Sequence, residues 1–460
     1  MLTYQLNKEE GLLYQQLYSL IKEDIISEKL EKGFKLPSKR TFARNCGIST
    51  ITVQNAYDQL ISEGYITSVE KKGYYVSGVK KQIKQALVEF EYERPKLLDD
   101  LSNTNINVNN FPFSVWSHIM RRTMAEERNK LLSPISAAGM IELRKAIAKH
   151  LYSFRAMVVS PEQIIVGAGT EYLYSLIIQL LGRDNHFALE DPGYQKLSYI
   201  YKVNDSKFSY IKLDDIGLSI TELNNSDANI LHISPTHHFP TGLTMPLKRR
   251  YEVLSWAAER ENRYIIEDDY DSEFKVSKNP HPPLFSLDGS EKVIYLNTFS
   301  RSLAPSIRIS YMVLPKSLAL KFNEKLSFYS STVPSFEQLT LAKFIIEGYF
   351  EKHINRMRLY YMRQRKAVIN EILNSKLNKI TTIIENDSGL HFILRLNTEK
   401  SDEEIKGILN KENINISALS EYSKQKKVSH DFIISYSNLD INILKKALDV
   451  LSINLISWSN

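Results

Sequence analysis

An acidic run beside a tyrosine is the part of the sequence best suited to chemistry. The run, Glu267-Asp268-Asp269-Tyr270-Asp271, directly follows the apolar residues YII. A carboxylate at the end of a buried strand can keep a pyridine nitrogen protonated, and the phenol beside it can hydrogen-bond a ring oxygen. A divalent cation is the alternative ligand for such carboxylates, but the motifs on either side favour an organic ring.

Two glycine-containing segments upstream offer contacts for a ring that carries a phosphate. Gly167-Ala168-Gly169-Thr170 follows the apolar residues IIV and opens a helical pattern, so its backbone N–H groups could cradle a phosphate. Glu190-Asp191-Pro192-Gly193-Tyr194 ends a second apolar run and offers an aromatic ring for stacking. Neither motif is specific alone. Their order before Ser234-Pro235-Thr236-His237-His238 and the acidic run is more specific.

These segments end apolar runs that alternate with longer amphipathic stretches. The runs, in chain order, are QIIVGAG, NHFALED, ANILHISP, RYIIEDD and KVIYLNT. Such alternation predicts an α/β domain over residues 106–320, in which helices cover a mostly parallel sheet.

Residues 321–460 predict a smaller α+β lobe that begins with one long helix over residues 336–374. Strands are expected after it in TTIIEN, LHFILRL and DFIISYS. Within the helix, arginines interleave with Leu359-Tyr360-Tyr361, a pattern that nucleic-acid binding could explain. Helix packing with a solvated basic face is the interpretation we favour.

Residues 1–78 predict a separate small domain. A first helix lies in LLYQQLYSLIKEDIISEKL. Ser38 then caps a short helix that Gly47 ends, and Ser49 caps a third helix that ends at Gly64. Two short strands turn around residues 70–73. Helix, helix, turn, helix and hairpin is the order of a winged helix-turn-helix.

Basic residues and small polar residues surround the expected turn of this domain. Between residues 32 and 44 there is no acid, and there are five cations: Lys32, Lys35, Lys39, Arg40 and Arg44. The third helix, which would enter the major groove, starts with short side chains and amides: Ser49, Thr50, Ile51, Thr52, Gln54 and Asn55. Lys71 and Lys72 at the hairpin tip would reach the DNA backbone or the minor groove. An ordinary solvated charged face remains the alternative, because residues 1–80 have a net charge of only +2.

Residues 79–105 are expected to be a linker. They lack a clear apolar period and end in polar turn formers. The chain contains no internal repeat and no low-complexity segment.

The first domain resembles the GntR type of winged-helix regulator over residues 12–77. The resemblance is carried by Leu36-Pro37-Ser38-Lys39-Arg40, Gly47-Ile48-Ser49, Thr52-Val53, Glu63-Gly64-Tyr65-Ile66 and Gly73 with Tyr75-Val76. It implies DNA contacts by Arg40, Ser49 and Gly73, and the predicted interface also includes Lys39, Thr50, Thr52 and Gln54. Because Thr50 and Gln54 stand where such helices are often basic, the operator sequence is not predicted.

The whole chain resembles the MocR subgroup of the GntR family, which joins a winged-helix head to an aminotransferase-like body of fold type I. The resemblance implies a site for pyridoxal 5'-phosphate. In that site Tyr194 would stack on the pyridine, Asp268 would bind its nitrogen and Tyr270 its hydroxyl. The remaining groups would form the phosphate cup: Gly169, Thr170, Thr298, Ser300 and Arg308.

Residue 301 departs from the family pattern within Thr298–Arg308. The resemblance places there the lysine that condenses with the cofactor aldehyde, and this chain has Arg301. A guanidinium with a pKa above ~12 stays protonated and cannot act as that amine. We therefore predict no catalytic residue. Arg301 would be either a fixed cation that faces a ligand or a structural partner of an acid such as Asp268.

A second departure concerns the recognition of a carboxylate. The resemblance implies an arginine within Asp431–Ser437, but the last arginine of the chain is Arg395. Lys196 could supply the charge, although it lacks the bidentate geometry that fits a carboxylate. The prediction of an amino-acid ligand is weakened accordingly.

Composition excludes several other classes of protein. The 460 residues include 43% hydrophobic and 24% charged residues with a net charge of +6, as in a globular multidomain protein. No apolar stretch approaches the ~18 residues of a membrane span, and the single cysteine suits a reducing cytoplasm. That residue, Cys46, is expected to be a small buried side chain of the turn. His237 and His238 lack metal-site spacing and are expected in the pocket wall.

The sequence therefore predicts a cytoplasmic transcription regulator that binds double-stranded operator DNA as a homodimer, head-to-tail as the resemblance implies. Its body would sense a small-molecule effector, pyridoxal 5'-phosphate or a related vitamer held noncovalently, without turnover. Two alternatives are an aminotransferase-type enzyme with a DNA-binding arm and a ligand-independent dimeric repressor.

Overall fold

A computed structural model describes residues 2–7, 11–77, 98–104, 106–274, 281–384 and 389–456. The chain divides into two compact units, Met1–Pro95 and Lys96–Asn460, called here the head and the body. Within the described residues, no helix is long and apolar enough to span a membrane.

The head is a winged helix-turn-helix, as expected from its pattern of caps and apolar residues. Its elements are α1 (Leu13–Ile26), β1 (Lys35–Leu36), α2 (Lys39–Cys46), α3 (Thr50–Ser62), β2 (Ile66–Val69) and β3 (Gly73–Val76). Ser38 and Ser49 cap α2 and α3 by accepting hydrogen bonds from Thr41 N and Thr52 N. Strand β1 pairs with β3 and makes the hairpin a three-stranded sheet, which the sequence analysis did not predict.

The head has its own apolar core between the helices and this sheet. Phe42, Val53, Tyr57 and Leu60 are completely buried there. The Tyr57 hydroxyl donates to the carbonyl oxygen of Pro37 at 2.9 Å, so the ring ties α3 to the segment before α2. Cys46 is half-buried, and its Sγ accepts a hydrogen bond from Tyr4 N at 3.5 Å. The angle between α2 and α3 is therefore held by packing on both sides of the turn.

The body contains an eight-stranded sheet that forms the large lobe. Its strands are β5 (Ile164–Gly167), β6 (His186–Asp191), β7 (Lys207–Asp214), β8 (Gly217–Leu218), β9 (Ile230–Ile233), β10 (Tyr264–Asp268), β11 (Val293–Thr298) and β12 (Ser310–Val313). Their order is β5-β12-β11-β10-β9-β6-β7-β8. The central strands are parallel, whereas β12 is antiparallel to both of its neighbours and β8 is antiparallel to β7. All five predicted strands are present, and their carboxyl ends meet at one edge.

Helices surround this sheet, in the α/β arrangement that the alternating pattern predicts. They are α4 (Phe113–Glu126), α5 (Arg128–Leu132), α6 (Ile141–Arg155), α7 (Thr170–Leu181), α8 (Gln195–Val203), α9 (Ile220–Asn224), α10 (Leu247–Ala258), α11 (Leu284–Leu287), α12 (Phe299–Ser302) and α13 (Lys316–Leu326). Short 3-10 turns occur at Val108–Asn110, Pro161–Gln163, Ser272–Phe274 and Pro305–Ile307.

The small lobe follows, and its first helix differs from the prediction. In place of one helix over residues 336–374 there are two, α14 (Ser335–Ile346) and α15 (Tyr349–Asn374). Gly348 separates them at φ +78°, a left-handed conformation that ends an α-helix. Packing explains the aromatic stretch of α15, since Tyr361 is buried and Arg356 and Arg358 donate to the carbonyl oxygens of Asn110 and Glu273.

A four-stranded sheet in the order β13-β14-β17-β16 completes the small lobe. The remaining elements are β13 (Thr381–Ile384), β14 (His391–Leu396), α16 (Asp402–Lys411), β15 (Ile414–Asn415), β16 (Ser417–Ala418), β17 (Asp431–Ser435) and α17 (Ile441–Leu455), with 3-10 turns at Lys376–Ile380 and Leu419–Tyr422. Strand β4 (Asp99–Asp100) pairs with β15, and Leu101 is buried in the core. The end of the expected linker is thus folded onto the small lobe, and residues 79–97 of it lie outside the described residues.

Candidate DNA interface and ligand cavity

The predicted DNA-contact residues of α3 divide into a capping pair and an exposed pair. Ser49 Oγ and Thr52 Oγ1 lie 2.7 Å apart, and Ser49 also accepts from Thr52 N, so these hydroxyls hold the helix start. The side chains of Thr50 and Gln54 are exposed and have no hydrogen-bond partner among the described residues. The structure therefore gives Ser49 and Thr52 a local role and leaves Thr50 and Gln54 on the outer face of α3.

The predicted basic contacts lie on α2 and on the hairpin. Arg40 is exposed, and the Lys39 amine lies 5.4 Å from the centre of the Tyr74 ring. Gly73 starts β3 directly after Lys71 and Lys72. Lysine and arginine side chains next to an exposed helix face are the groups that bind phosphates beside the major groove.

A cavity of about 350 Å³ lies at the carboxyl edge of the large sheet. With one exception, the predicted ligand-binding residues line it: Thr170, Tyr194, Asp268, Tyr270, Thr298, Ser300, Arg301 and Arg308. The exception, Gly169, lies behind Arg308, where a Cβ atom would collide with the guanidinium. Seven described segments of the chain meet at this cavity, and five of them follow strands of the large sheet, whose carboxyl ends lie at one edge.

Asp268 ends β10 at the floor of the cavity. One carboxylate oxygen, Oδ2, accepts a hydrogen bond from the Tyr174 hydroxyl, and the other, Oδ1, is buried and has no partner in the described part of the chain. Burial raises the pKa of Asp268 to about 6, and the Tyr174 hydrogen bond opposes this shift. A buried, partly unsatisfied carboxylate gains most from a cationic N–H donor, such as a protonated ring nitrogen.

His232 lies next to Asp268 and is neutral. Its Nε2 lies 3.9 Å from Asp268 Oδ2, and its Nδ1 lies 2.8 Å from the Tyr201 hydroxyl. Burial lowers the pKa of His232 to about 3, so the contact with Asp268 is not an ion pair at neutral pH. The negative charge on Asp268 is thus available to a ligand.

Hydroxyls and cations line another part of the cavity. Ser300 Oγ is buried and has no partner within the described ranges, whereas Thr298 Oγ1 accepts from Ser310 Oγ at 2.7 Å. Arg308 and Lys196 both bind the carboxylate of Glu171, each at 2.9 Å. The Lys196 hydrogen bond is the main cause that lowers the pKa of Glu171. Together with the start of α7, these groups can hold a phosphate.

Tyr194 belongs to an aromatic series that links the two lobes. Its ring centre lies 6.3 Å from that of Phe239, which lies 5.1 Å from Tyr422 of the small lobe. Two backbone contacts join the same loops: Gly193 N donates to Tyr422 O at 3.1 Å, and Lys424 N donates to Asp191 Oδ1 at 2.9 Å. The loop that presents the stacking ring is therefore attached directly to the small lobe.

Tyr270 is held by a histidine behind the cavity. Its hydroxyl lies 3.1 Å from His237 Nδ1, which lies 2.7 Å from Asp271 Oδ2. His238 lies 2.7 Å from Thr241 Oγ1. The expectation that both histidines form the pocket wall is wrong, because neither lines the cavity and both support the loops around it. In the described part of the chain, no group of three or more His, Cys, Asp or Glu side chains could hold a metal ion.

Arg301 contacts an unexpected partner. Its Nη1 donates to the carbonyl oxygen of Thr104 and to Thr104 Oγ1, the latter at 2.7 Å. The guanidinium carbon lies 5.9 Å from the centre of the Tyr270 ring. Among the described residues no hydrogen bond or ion pair joins Arg301 to Asp268, so the pairing considered in the sequence analysis is not observed. Burial raises the pKa of Asp268, and the positive charge of Arg301 is one of the smaller effects that oppose this shift.

Arg395 lies outside the cavity. It binds Asp431 in bidentate fashion, from Nε at 2.7 Å and from Nη2 at 2.8 Å, and is half-exposed. Lys196, which the sequence analysis considered in place of a carboxylate-binding arginine, lines the cavity but is paired with Glu171. No arginine among the described residues of the small lobe lines the cavity.

Among the polar residues that line the cavity, sequence reasoning missed Thr104, Glu171, Tyr174 and Tyr422. It also missed His232, which lies beside Asp268 without lining the cavity. Glu171 and Tyr174 follow Thr170 in α7, and helical spacing puts Tyr174 one turn from it. That spacing was a usable signal. Thr104 offered none, because it lies 197 positions from its partner Arg301.

Comparison with known families matches both parts of the chain. Residues 13–76 match the model described as bacterial regulatory proteins, gntR family, and residues 102–451 match aminotransferase class I and II. Fold and matches together define a DNA-binding transcription regulator with an aminotransferase-like body.

Curated relatives identify the subgroup. The uncharacterized HTH-type transcriptional regulator YdeL of Bacillus subtilis is 39% identical over 388 residues, 83% of each chain. The "Probable rhizopine catabolism regulatory protein MocR" of Rhizobium meliloti is 27% identical over 95% of this chain and 93% of its own. The pyridoxine biosynthesis regulator PdxR of Corynebacterium glutamicum is 28% identical over 95% and 94%. The chain belongs to the MocR subgroup of the GntR family.

Solved structures show the same fold in the body. Kynurenine aminotransferase of Pyrococcus horikoshii has a TM-score of 0.68 at 21% identity and covers 79% of this chain and 93% of its own. A multiple substrate aminotransferase of Thermococcus profundus has a TM-score of 0.69 at 22% identity, over 78% and 91%. At this identity the likeness establishes the fold alone.

Proposed function

We propose that the body of this transcription regulator senses pyridoxal 5'-phosphate or a related vitamer, held noncovalently in the cavity. The observation that carries the proposal is that two residues lining the cavity each have a buried polar atom without a partner among the described residues, Asp268 Oδ1 and Ser300 Oγ. Buried polar atoms are normally satisfied, since leaving one without a partner costs about 1–3 kcal/mol. A ligand with a cationic ring N–H and an anionic acceptor satisfies both.

The residues present fit the ring and the phosphate of such a ligand. Asp268 would bind the ring nitrogen, Tyr270 the ring hydroxyl, and Tyr194 one face of the ring. The phosphate would lie at the start of α7, with Gly169, Thr170, Thr298, Ser300 and Arg308. When bound, the vitamer supplies a pyridinium, a ring hydroxyl and a phosphate dianion for recognition, together with an aldehyde in pyridoxal phosphate itself.

The same residues do not support turnover. A guanidinium is neither an amine nucleophile nor a proton acceptor, so Arg301 does not form a covalent bond with an aldehyde as a lysine does. Thr104 holds its guanidinium at the cavity edge, where it adds a positive charge. Binding is therefore expected to be reversible and to follow the ligand concentration.

Ligand binding would reach the DNA through the lobes. The loop that carries Tyr194 is joined to the small lobe by Tyr422 and Lys424, so a ring stacked on Tyr194 changes the environment of both. A ligand that binds one arrangement of the lobes better than another shifts their populations by its difference in affinity. We propose that this shift alters how two heads of a homodimer, head-to-tail through their bodies, bind double-stranded operator DNA in the cytoplasm.

Titration calorimetry with pyridoxal phosphate tests the proposal, with the wild type and an Asp268→Ala variant side by side. We expect saturable binding that weakens in the variant and that borohydride does not convert to a covalent adduct at residue 301. Binding indifferent to Asp268 would contradict the proposed site. Equal operator affinity at zero and saturating ligand would contradict sensing, even if the ligand binds.

A matched control separates loss of the site from loss of the fold. Asp431→Ala removes a carboxylate of the small lobe that pairs with Arg395 away from the cavity. We expect this variant to bind pyridoxal phosphate as the wild type does. Sedimentation of the wild-type protein at micromolar concentration checks the dimer.

A further inference from the structure

Helix α3 presents one large apolar side chain to solvent beside two free amides. Ile51 is 70% exposed, whereas Val53, Ala56 and Leu60 of the same helix are buried. Gln54 and Asn55, three and four positions after Ile51, are exposed with it. Because such positions are neighbours on a helix, these three side chains form one continuous surface, called here the α3 reading face.

The polar groups of the reading face are available to a partner. Neither the Gln54 nor the Asn55 amide has a hydrogen-bond partner among the residues described by the structure. The hydroxyls of Ser49 and Thr52, in contrast, are engaged with each other at the start of the helix. Single exposed apolar residues are common on protein surfaces, but Ile51 lies next to two exposed amides on the helix that enters the major groove in a helix-turn-helix.

The reading face has no basic side chain that could recognise guanine. Helix α3 contains no lysine or arginine, and its one charged residue, Asp58, lies two turns from the helix start. Guanine is read in the major groove by arginine or lysine at O6 and N7, adenine by asparagine or glutamine at N6 and N7, and thymine by apolar contact with its methyl group. The reading face therefore has groups for adenine and thymine and none for guanine.

The cations needed for DNA affinity lie on other elements of the head. Lys39, Arg40 and Arg44 belong to α2, and Lys71 and Lys72 lie at the hairpin tip. Contacts from these residues to phosphates would strengthen binding to every sequence equally. Affinity and base selection thus reside on separate residues and can be altered separately.

We propose that the α3 reading face selects A·T base pairs in each operator half-site, with Ile51 against a thymine methyl group and Gln54 and Asn55 on adjacent adenines. The proposal rests on the assignment of the head to DNA binding and adds the class of bases that it reads. The alternative is a half-site dominated by G·C pairs, and the test below distinguishes it from the proposed one.

The test uses the full chain and two steps. Selection from a library of randomised duplexes defines the preferred half-site, and each thymine of that half-site is then replaced in turn by deoxyuridine, which lacks only the methyl group. For the wild type, we expect one replacement to weaken binding about fourfold, the value of one buried methyl or methylene group. For Ile51→Ala, the thymine and uracil duplexes should bind equally.

Arg40→Ala is the matched control, because it removes a cation from α2 and leaves the reading face intact. We expect it to weaken binding to both duplexes by the same factor and to reduce the salt dependence, while keeping the fourfold methyl effect. Hydrogen exchange of the α3 amides verifies that Ile51→Ala keeps the helix.

Two results would overturn the proposal while leaving DNA binding intact: half-sites rich in G·C pairs, or a uracil effect of equal size in the wild type and in Ile51→Ala. Salt-dependent binding without any base preference would also overturn it. Failure of the wild type to bind any duplex at low salt would instead contradict the assignment of the head to DNA.

Discussion

Glu171 accepts a hydrogen bond from Arg308, with 2.9 Å between Oε2 and Nη2. Its other oxygen, Oε1, accepts from Lys196 at the same distance. The carboxylate thus neutralises two cations of the cavity, and a phosphate bound at the proposed site would have to compete with it. All three side chains are about half-exposed, so solvent weakens these pairs and the competition is possible.

Glu171→Gln should therefore tighten the binding of pyridoxal phosphate. The amide keeps the shape of the side chain but removes the negative charge beside the phosphate, and we expect a gain of about fivefold to tenfold at low salt. Calorimetry at two salt concentrations checks it, since the gain should shrink as salt rises. An unchanged or weaker affinity would mean that the phosphate does not lie at these cations.

Arg308→Ala should have the opposite effect. Loss of a charge-assisted hydrogen bond costs about 1.5–3 kcal/mol, which corresponds to a loss of about tenfold to 100-fold in affinity. Arg395→Ala is the control, because that arginine pairs with Asp431 outside the cavity. A comparable loss in both variants would point to a general effect of charge and contradict a phosphate site at Arg308.

Binding should weaken as the pH falls through about 6, where Asp268 becomes protonated. A protonated carboxyl loses its charge-assisted bond to a ring nitrogen. The two neighbours of Asp268 do not change their charge in this pH range. Burial keeps His232 neutral, and burial also raises the pKa of the Tyr174 hydroxyl well above 10.

Calorimetry from pH 5 to 7.5 with the wild type and Asp268→Asn measures this effect. The phosphate of the ligand has its own ionisation near 6 and contributes equally to both proteins. The difference between the two curves therefore reports the protonation of Asp268, and parallel curves would contradict its role.

In the ligand-free protein, pH affects stability in the opposite direction. The pKa is raised from 3.8, so the contribution of Asp268 to stability is full below 3.8 and is lost as the pH rises through 6.

Arg301→Lys should convert reversible binding into trappable binding. The lysine amine loses a proton where the guanidinium does not, so it can react with an aldehyde. We expect borohydride to fix pyridoxal phosphate at residue 301 in this variant and not in the wild type, with mass spectrometry of the peptide as the measurement. Trapping in the wild type at another lysine, such as Lys196, would show that the ligand lies differently.

Ser49→Ala should weaken the start of α3 through lost capping. Replacing an N-cap serine by alanine costs about 1 kcal/mol, so the first amides of α3 should exchange with solvent roughly fivefold faster. Thr50→Ala, the neighbouring exposed residue, should leave the exchange unchanged and affect only DNA binding. Equal exchange in Ser49→Ala and the wild type would contradict the structural role of Ser49.

Local features of the head and body were predictable because they depend on residues a few positions apart. Serine caps at Ser38 and Ser49 satisfy free N–H groups of the helix that follows, and apolar runs mark five of the eight described strands of the large sheet. The prediction of one long helix failed at a single residue, Gly348, which has a left-handed conformation. A glycine can lie within a helix or end one, so the sequence alone did not show that the helix ends there.

The order of motifs along the chain also determined the family and eight of the residues that line the cavity. Tertiary structure decided what each of these residues contacts. Tyr174 meets Asp268 across 94 positions of sequence, and Arg301 meets Thr104 across 197. Glu171 holds Arg308 across 137 positions, and neither residue type signals that pairing. Such contacts depend on which loops the sheet brings to one edge and on which atoms are buried there, and both are properties of the packed chain.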